Sequence, residues 1–393
     1  MAIVVVVVIV AIIAGAFGYQ SMTKTNTMTT MQPTESTSQS MIESTSTTGS
    51  ATQPVEAVSL LGAGATFPAP LIQKWTVEYH NLYSSVTINY NPIGSGGGIQ
   101  QISKKTVDFG ASDAPLSASQ AANASGIVLM PETLGGVAIT YNVQGIQGTT
   151  TLRFTSDVIV GIYIGVITMW NDPAIQGLNP GVTLPNSRIT AVHRSDGSGT
   201  TYAFTDYLQA VSSNWGMNVG RSTSVSWPVD STGYGIGAKG NAGVAGTVSN
   251  TPNSIGYVDV IYAVSNKLGI GAVKNAAGNF IVPTLDTIRY AAANATNTSN
   301  PNDLSQHIVN AAGAQSYPIA TYTYILVYKD MSANPSTTLP KAQALAKFLW
   351  WAIHDGQKYS PDLIYVPLPD NIVKADEQLL LSLTFQGQQL ITQ

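Results

Sequence analysis

Three segments of this sequence place glycine and hydroxyl residues where a strand pattern gives way to a helix pattern: LLGAGATFPAPLIQKW (60–75), NPIGSGGGIQQI (91–102) and AVHRSDGSGTTYAF (191–204). A helix N-terminus carries unpaired N–H groups and about half a positive charge, so it receives oxyanions readily. Glycine lets the backbone come close, and Ser and Thr add O–H donors. In the first segment Ala65, Thr66 and Phe67 precede Pro68 and Pro70, and proline is favoured where a helix opens. In the second, Ser95 reads as the cap of a helix that opens through Gly96, Gly97 and Gly98. In the third, Ser198, Gly199 and Thr200 start a helix. Any one such turn is also what an ordinary capped helix looks like. Three of them converging would offer six or more donors to a tetrahedral anion. Charge-assisted hydrogen bonds contribute roughly 1.5–3 kcal/mol each. Three or four would match micromolar binding, about −8 kcal/mol.

Arg194 closes the strand pattern that enters the third turn, and Asp196 comes two residues later. A guanidinium there can grip an oxyanion with two parallel bonds. In extended chain the two side chains share a face, so Asp196 is placed to orient Arg194 and offset its charge; a plain surface ion pair or a turn aspartate is the alternative. Asp113, in VDFGASDAPLS, ends another strand pattern. A carboxylate beside an anion makes sense once protons are counted. Monohydrogen and dihydrogen phosphate carry a P–O–H donor, whereas fully ionised sulfate carries none. A buried Asp113 would accept from that proton and repel an ion lacking it. Sites built around one buried hydrogen bond reject the analogue without it by about 10⁴-fold. From spacing alone, Asp113 reads more readily as a turn residue.

Other chemistries lack their residues. No lysine follows the glycines as the phosphate-binding loop of nucleotide hydrolases requires. The DGSGT context of Ser198 is not the G-x-S-x-G of a hydrolase nucleophile, and that pentapeptide occurs nowhere in the chain. The histidines, His80, His193, His307 and His354, are dispersed, and most of them read as surface or capping residues; no zinc site is expected. With no cysteine, disulfides, thiolate metal sites, thiol catalysis and a lipid anchor on an N-terminal cysteine are excluded. No cofactor is expected.

The elements that must position these residues alternate. Strand-like runs at 86–93, 107–112, 137–143, 189–194 and 321–329 are separated by helical patterns at 69–83, 97–105, 156–167 and 199–211. Two helices close the chain, near 341–355 and 371–383. Leu71, Trp75 and Tyr79 recur one helical turn apart. Strands alternating with helices predict an α/β fold.

The chain has 393 residues, 44% of them hydrophobic, and a net charge of −4. That is ample material for a large core, and nothing suggests nucleic acid. Only 10% of residues are charged, against roughly 25% in an ordinary soluble domain. Residues Ala2 to Tyr19 form an uncharged, valine-rich run at the lower edge of what spans a bilayer. No Lys or Arg precedes it, and Ala14-Gly15-Ala16 fits a signal cleavage site. A retained anchor and a cleaved signal alike would export the rest of the chain. Residues 20–57 are rich in Ser, Thr, Met and Gln and read as a disordered stalk. A stalk serves an attached protein, which favours the anchor. Sequons at Asn123, Asn294 and Asn297 suit a glycosylated exterior.

Together GAGATFPAP (62–70), IGSGGG (93–98), TVDFGASDAPL (106–116), MWNDPAI…LNPGV…LP (169–185), DGSGT (196–200) and SIGYV (254–258) resemble, in order, the motifs of the phosphate-binding component of high-affinity phosphate ABC transporters. The resemblance covers most of residues 58–393. It implies a type II periplasmic-binding-protein fold: two α/β lobes joined by two crossover strands, with the ligand in the interlobe cleft. The expected division is 58–141 with 318–393 as lobe one and 142–317 as lobe two. The implied phosphate contacts are Thr66, Phe67 through its backbone N–H, Ser95, Asp113, Arg194, Ser198, Gly199 and Thr200, supported by Asp196, Ala65 and Gly96. The implied protein is a monomeric, extracytoplasmic binding protein serving ABC permease subunits, and not an enzyme. Two features depart from the pattern: Gly96 stands where relatives often carry a second serine, and His193 where an arginine often precedes Arg194. The rival readings are a surface phosphatase and an adhesive protein reusing the fold.

Overall fold

The computed structural model describes residues 57–146, 150–295 and 308–391. The apolar run 2–19, nearly all of the 20–57 stalk, the sequon at Asn297 and His307 lie outside these residues. Among the described residues no helix is long and apolar enough to cross a membrane.

The chain alternates as its pattern predicts. Strand β1 (Val58–Gly64) leads to helix α1 (Ala69–Leu82), β2 (Val86–Asn91), α2 (Ser95–Ser103) and β3 (Phe109–Ser112). The long β4 (Ile127–Asn142) is followed by α3 (Ser156–Tyr163), β5 (Thr190–Arg194), α4 (Gly199–Val211), β6 (Gly235–Ala238), α5 (Gly240–Asn250) and β7 (Ser254–Asp259). Strand β8 (Ala320–Tyr328) then returns, and α6 (Leu339–Ile353) and α7 (Asp370–Leu381) come after it.

One sheet runs in the order β2-β1-β3-β8-β4-β7-β5-β6. Its outer parts are parallel: β2, β1 and β3 at one end, β7, β5 and β6 at the other. Antiparallel β4 and β8 join them. Residues 127–136 of β4 pair with β8, and residues 137–142 pair with β7. The register between β4 and β8 slips once: Thr323 faces Thr133 and Tyr324 faces Pro131, so Glu132 has no opposite residue. Pro131 lacks the N–H a regular ladder requires, which is the usual setting of a β-bulge.

Burial follows the periodicities. Leu71, Ile72, Trp75 and Tyr79 form the inward face of α1, and all nine residues of β8 are buried, as a strand covered on both faces requires. Each fully buried Leu, Ile or Phe contributes about 1.5–3 kcal/mol, so this core fixes the strand ends on which the glycine turns sit. Helix α3 is shorter than its apolar pattern. It stops at Tyr163 because Gly165 turns left-handed (φ 79°) and Val166 N–H bonds back to Gly161 C=O, a terminating motif that glycine favours.

Candidate oxyanion-binding site

In a parallel α/β sheet, ligands bind beyond the carboxyl ends of the strands. Here β1 ends at Gly64, β3 at Ser112, β5 at Arg194 and β6 at Ala238. Each sends its next residues toward one cleft, and α1, α2, α4 and α5 open beside it. Hydrogen bonds across the cleft define the meeting point. Gly96 N–H donates to Gly197 C=O at 2.9 Å. Ser95 Oγ accepts from Gly199 N–H at 3.0 Å and from Asp113 N–H at 3.2 Å. Asn241 Nδ2 donates to Thr66 Oγ1 at 3.0 Å and to Thr200 Oγ1 at 3.1 Å. Tyr262 donates its hydroxyl to Thr66 C=O at 2.7 Å.

The residues nominated from the sequence therefore share one cleft. Thr66, Phe67, Ser95 and Asp113 stand on one side, and Arg194, Ser198, Gly199 and Thr200 on the other. Ser95 and Ser198 are fully buried, Asp113 is 2% exposed and Arg194 is 4% exposed. Ala65 is held by its N–H to Ala111 C=O and by Tyr90, which donates to Ala65 C=O. Tyr365 does the same for Phe67 C=O.

Arg194 lies against Asp196. Its Nε donates to Asp196 Oδ1 at 2.7 Å, a second N–H meets Oδ2, and Nη1 reaches Thr200 Oγ1 at 3.4 Å. Guanidinium has five N–H donors, so two remain for an anion. Burial alone would lift the Asp196 carboxyl, but the bonds and charge of Arg194 and the N–H of Gly240 hold it below the ordinary value. For Asp113 burial wins. It pushes the carboxyl up to about 7, against the Thr323 hydroxyl, the Arg194 charge and the hydroxyl and N–H of Thr200.

The remaining donors point to what the cleft can hold. Ser95, Ser198 and Thr66 each accept from backbone or side-chain N–H groups, which leaves each O–H to donate. Among the described residues the N–H groups of Thr66 and Phe67 meet no backbone acceptor. The arrangement is a cup of donors, one fork of positive charge and one carboxylate: the chemistry of a protonated tetrahedral oxyanion.

Two expectations need correction. Ser95 does not cap α2. Gly94 occupies that position at φ 90°, ψ 153°, a conformation that needs glycine, and Ser95 is the first helical residue. Its hydroxyl is released to knit the two sides of the cleft. His193 is neither a surface nor a capping residue. It is buried, with its ring stacked on Trp227 and Nε2 at 2.8 Å from Asp230, because alternation along β5 turns it away from the face that carries Arg194.

Asn241 is not among the residues that the sequence nominates. It sits in a fourth turn of the same design, GIGAKGNAG at 235–243, which the glycine pattern could have revealed. Its amide holds Thr66 and Thr200, and its Oδ1 accepts from Asp259 N–H at 2.9 Å. Thr323 and Glu132 also escape the sequence reading. Thr323 donates to Asp113 Oδ1 at 2.9 Å and lies 3.2 Å from Glu132 Oε1.

Comparison with known proteins gives the family and the fold. The PBP superfamily domain matches residues 34–355. The phosphate-binding protein PstS of Xylella fastidiosa (strain 9a5c) is 42% identical over 332 residues, covering 84% of this chain and 87% of that one. The protein of that name from Methanocaldococcus jannaschii is 38% identical over 327 residues, covering 79% and 82%. Among solved structures, a high-affinity periplasmic phosphate-binding protein, PfluDING, bound with phosphate, aligns with a TM-score of 0.62 at 20% identity, covering 82% of this chain and 93% of that one. A phosphate-binding protein from Stenotrophomonas maltophilia aligns with a TM-score of 0.59 at 18% identity, covering 81% and 93%. These two likenesses concern the fold.

Proposed function

This chain belongs to the PBP superfamily and, within it, to the phosphate-binding PstS proteins, and from that premise we infer that it binds inorganic phosphate in the cleft and delivers it to an ABC transporter. The observation that carries this reading is the donor-lined cup around Asp113 and Arg194, since phosphate near neutral pH both accepts from many donors and carries a proton for one carboxylate.

Lobe one comprises 58–141 with 318–393 and lobe two 142–317; the change of partner along β4 after Gly136 supports a division in this region. The cross-cleft bonds correspond to a closed arrangement of the lobes. Phosphate contacts are assigned to Thr66, Phe67, Ser95, Asp113, Arg194, Ser198, Gly199 and Thr200. The protein works as an extracytoplasmic monomer that docks on permease subunits. It is a carrier and not a catalyst, in line with relatives named as binding proteins. Residues 2–19 hold it to the membrane. Glycans on exposed Asn123 and Asn294 fit an outer surface.

Calorimetry tests the function. Phosphate and arsenate, which both carry an ionisable proton, should each give one saturable site, and sulfate should give no comparable heat. A chain that gives no phosphate signal would support the adhesive alternative, and turnover of a phosphate monoester would support a phosphatase.

Closure makes a further demand on Gly199. A Cβ there would lie 2.5 Å from Asp113 Cβ across the cleft. The three nearest atoms such a Cβ would meet all belong to Asp113, so Gly199→Ala obstructs the approach of the lobes. Overpacking costs about 1–3 kcal/mol, so phosphate affinity should fall roughly 5- to 150-fold with little change in thermal unfolding of the free protein. Wild-type affinity in this variant would show that the cleft need not close so tightly.

A further inference from the structure

We propose that Glu132 is a proton-bearing positioning residue of the anion site: its carboxyl donates to Thr323, Thr323 donates to Asp113, and this one-way chain keeps Asp113 an acceptor. The inference rests on the phosphate reading above and adds a residue which that reading does not use.

The geometry comes from the bulge. Because Glu132 is the extra residue between Pro131 and Thr133, its side chain is re-aimed out of the regular alternation, as bulges beside functional sites do. It is 1% exposed. Its Oε1 lies 3.2 Å from Thr323 Oγ1, which lies 2.9 Å from Asp113 Oδ1. Its Oε2 is buried and meets no hydrogen-bond partner among the described residues.

Counting protons fixes the direction. Three oxygens in series make two hydrogen bonds, which need two protons. Thr323 supplies one, and one of the two acids must supply the other. Asp113 has the better claim to the negative charge: the Arg194 guanidinium is near, and the Thr200 hydroxyl and N–H donate to it. Among the described residues Glu132 has no donor but Thr323. The proton therefore belongs on Glu132, and Thr323 is turned toward Asp113.

The groups facing the pair agree. Burial, then the neighbouring Asp113, push the Glu132 carboxyl up to about 8, against the single bond from Thr323. Tyr90 feels both carboxylates, after burial, and its hydroxyl lies well above its ordinary value, so it stays neutral through the same range. Asp259, also fully buried, is raised well above its ordinary value, first by burial and further by the Asp113 charge. When Glu132 ionises, it competes for the only proton on Thr323 and sets a second negative charge behind Asp113. Phosphate affinity should then fall as pH rises through the Glu132 transition.

The test is the pH dependence of phosphate binding to the full chain between about pH 7 and 10, with sulfate as competitor. Phosphate's own charge is constant over the upper part of this range. For the wild type, the dissociation constant should rise above about pH 8, approaching tenfold per pH unit as for a single ionisation. In Glu132→Gln the amide N–H donates to Thr323 at every pH. Neutral affinity should stay within about threefold and the alkaline limb should vanish. Glu132→Leu offers no donor, so it should lose the limb and also lower phosphate-over-sulfate preference by at least about fivefold. A limb that persists in Glu132→Gln overturns the proposal, as does a loss of more than about tenfold at neutral pH, which would mean that an ionised Glu132 is required. If Glu132→Gln fails to fold, Thr323→Val decides: it cuts the chain at its centre, and unchanged preference for phosphate would sink the relay. An infrared titration separates this inference from the phosphate reading. At neutral pH the protonated-carboxyl absorbance of the wild type should exceed that of Glu132→Gln by one carboxyl group, Asp259 contributing to both; equal absorbance overturns the assignment whether or not phosphate binds.

Discussion

Asp113→Asn should lower the preference for phosphate over sulfate by at least a hundredfold, toward the roughly 10⁴-fold that one unmatched buried hydrogen bond can enforce. In the native cleft the carboxylate accepts from Thr323 and Thr200 and meets the ligand as an acceptor. A protonated oxyanion satisfies it; a fully ionised one leaves two negative oxygens in contact within a buried site. Asparagine is nearly isosteric but carries one acceptor and one donor group. Its oxygen can keep the bond from Thr323, and its NH₂ then faces the ligand. Sulfate gains a donor, while phosphate loses the acceptor for its proton. Phosphate binding should weaken moderately and sulfate binding should appear, both read by competitive calorimetry. Because burial pushes Asp113 up to about 7, the native site also protonates as pH falls through that value and loses its acceptor. Native discrimination should therefore fade on acidification, whereas the asparagine variant should discriminate poorly at every pH. Equal discrimination in the two proteins would remove Asp113 from ligand selection.

Much of this site is legible in the sequence because its parts are local. A glycine-rich turn, a Ser or Thr beside it and a helix behind it are written in consecutive residues, as at 62–70 and 196–200, and such a turn needs only its own strand and helix to form. Arg194 and Asp196 are two residues apart, so their pairing follows from extended geometry alone. What the sequence hides is non-local. Ser95 reads as a cap because a serine before three glycines usually is one; its actual partners, Gly199 and Asp113, are brought to it only when the two sides of the sheet meet. Thr323 lies in the run 321–329, which reads simply as a buried strand. Nothing within that run tells that antiparallel pairing sets Tyr324 opposite Ser112 and so brings Thr323 beside Asp113. Glu132 carries one local sign, the preceding proline, which disfavours a regular ladder, but which residue is extruded depends on the register of a strand almost two hundred positions away.

The same contrast explains the division of labour in the cleft. The donors are mostly backbone and hydroxyl groups fixed by turns, and they are neutral. They do not select among oxyanions of similar size. The charged groups are few, buried and mutually constrained: Asp196 occupies one edge of Arg194, and Thr200 accepts from Arg194 and donates to Asp113. This ordering aligns the remaining donors before a ligand arrives, which reduces the free energy that binding must spend on reorganisation.

Arg194→Ala is expected to have the larger effect on affinity itself. The side chain of Arg194 is 1% exposed and that of Asp196 is 13% exposed, so the pair is held largely away from water. Truncating one partner of a buried, hydrogen-bonded charge pair costs about 2–5 kcal/mol, much of it from leaving the other charge unpaired. Here the loss is compounded. Asp196 loses the charge that holds its carboxyl low, Thr200 loses a donor, and Asp113 loses the cation that offsets its charge. A phosphate entering this variant would face two carboxylates and no guanidinium. Affinity should drop at least thirtyfold and by up to roughly 5,000-fold, and the remaining binding should improve as pH falls and the two carboxylates protonate. Arg194→Lys keeps the charge but presents no fork. It should recover only part of the affinity, because an ammonium cannot hold both oxygens of Asp196 and an anion in one plane. Calorimetry of the two variants across pH decides the matter: wild-type binding in Arg194→Ala would place the guanidinium outside the ligand's reach, and full recovery in Arg194→Lys would reduce its contribution to a point charge.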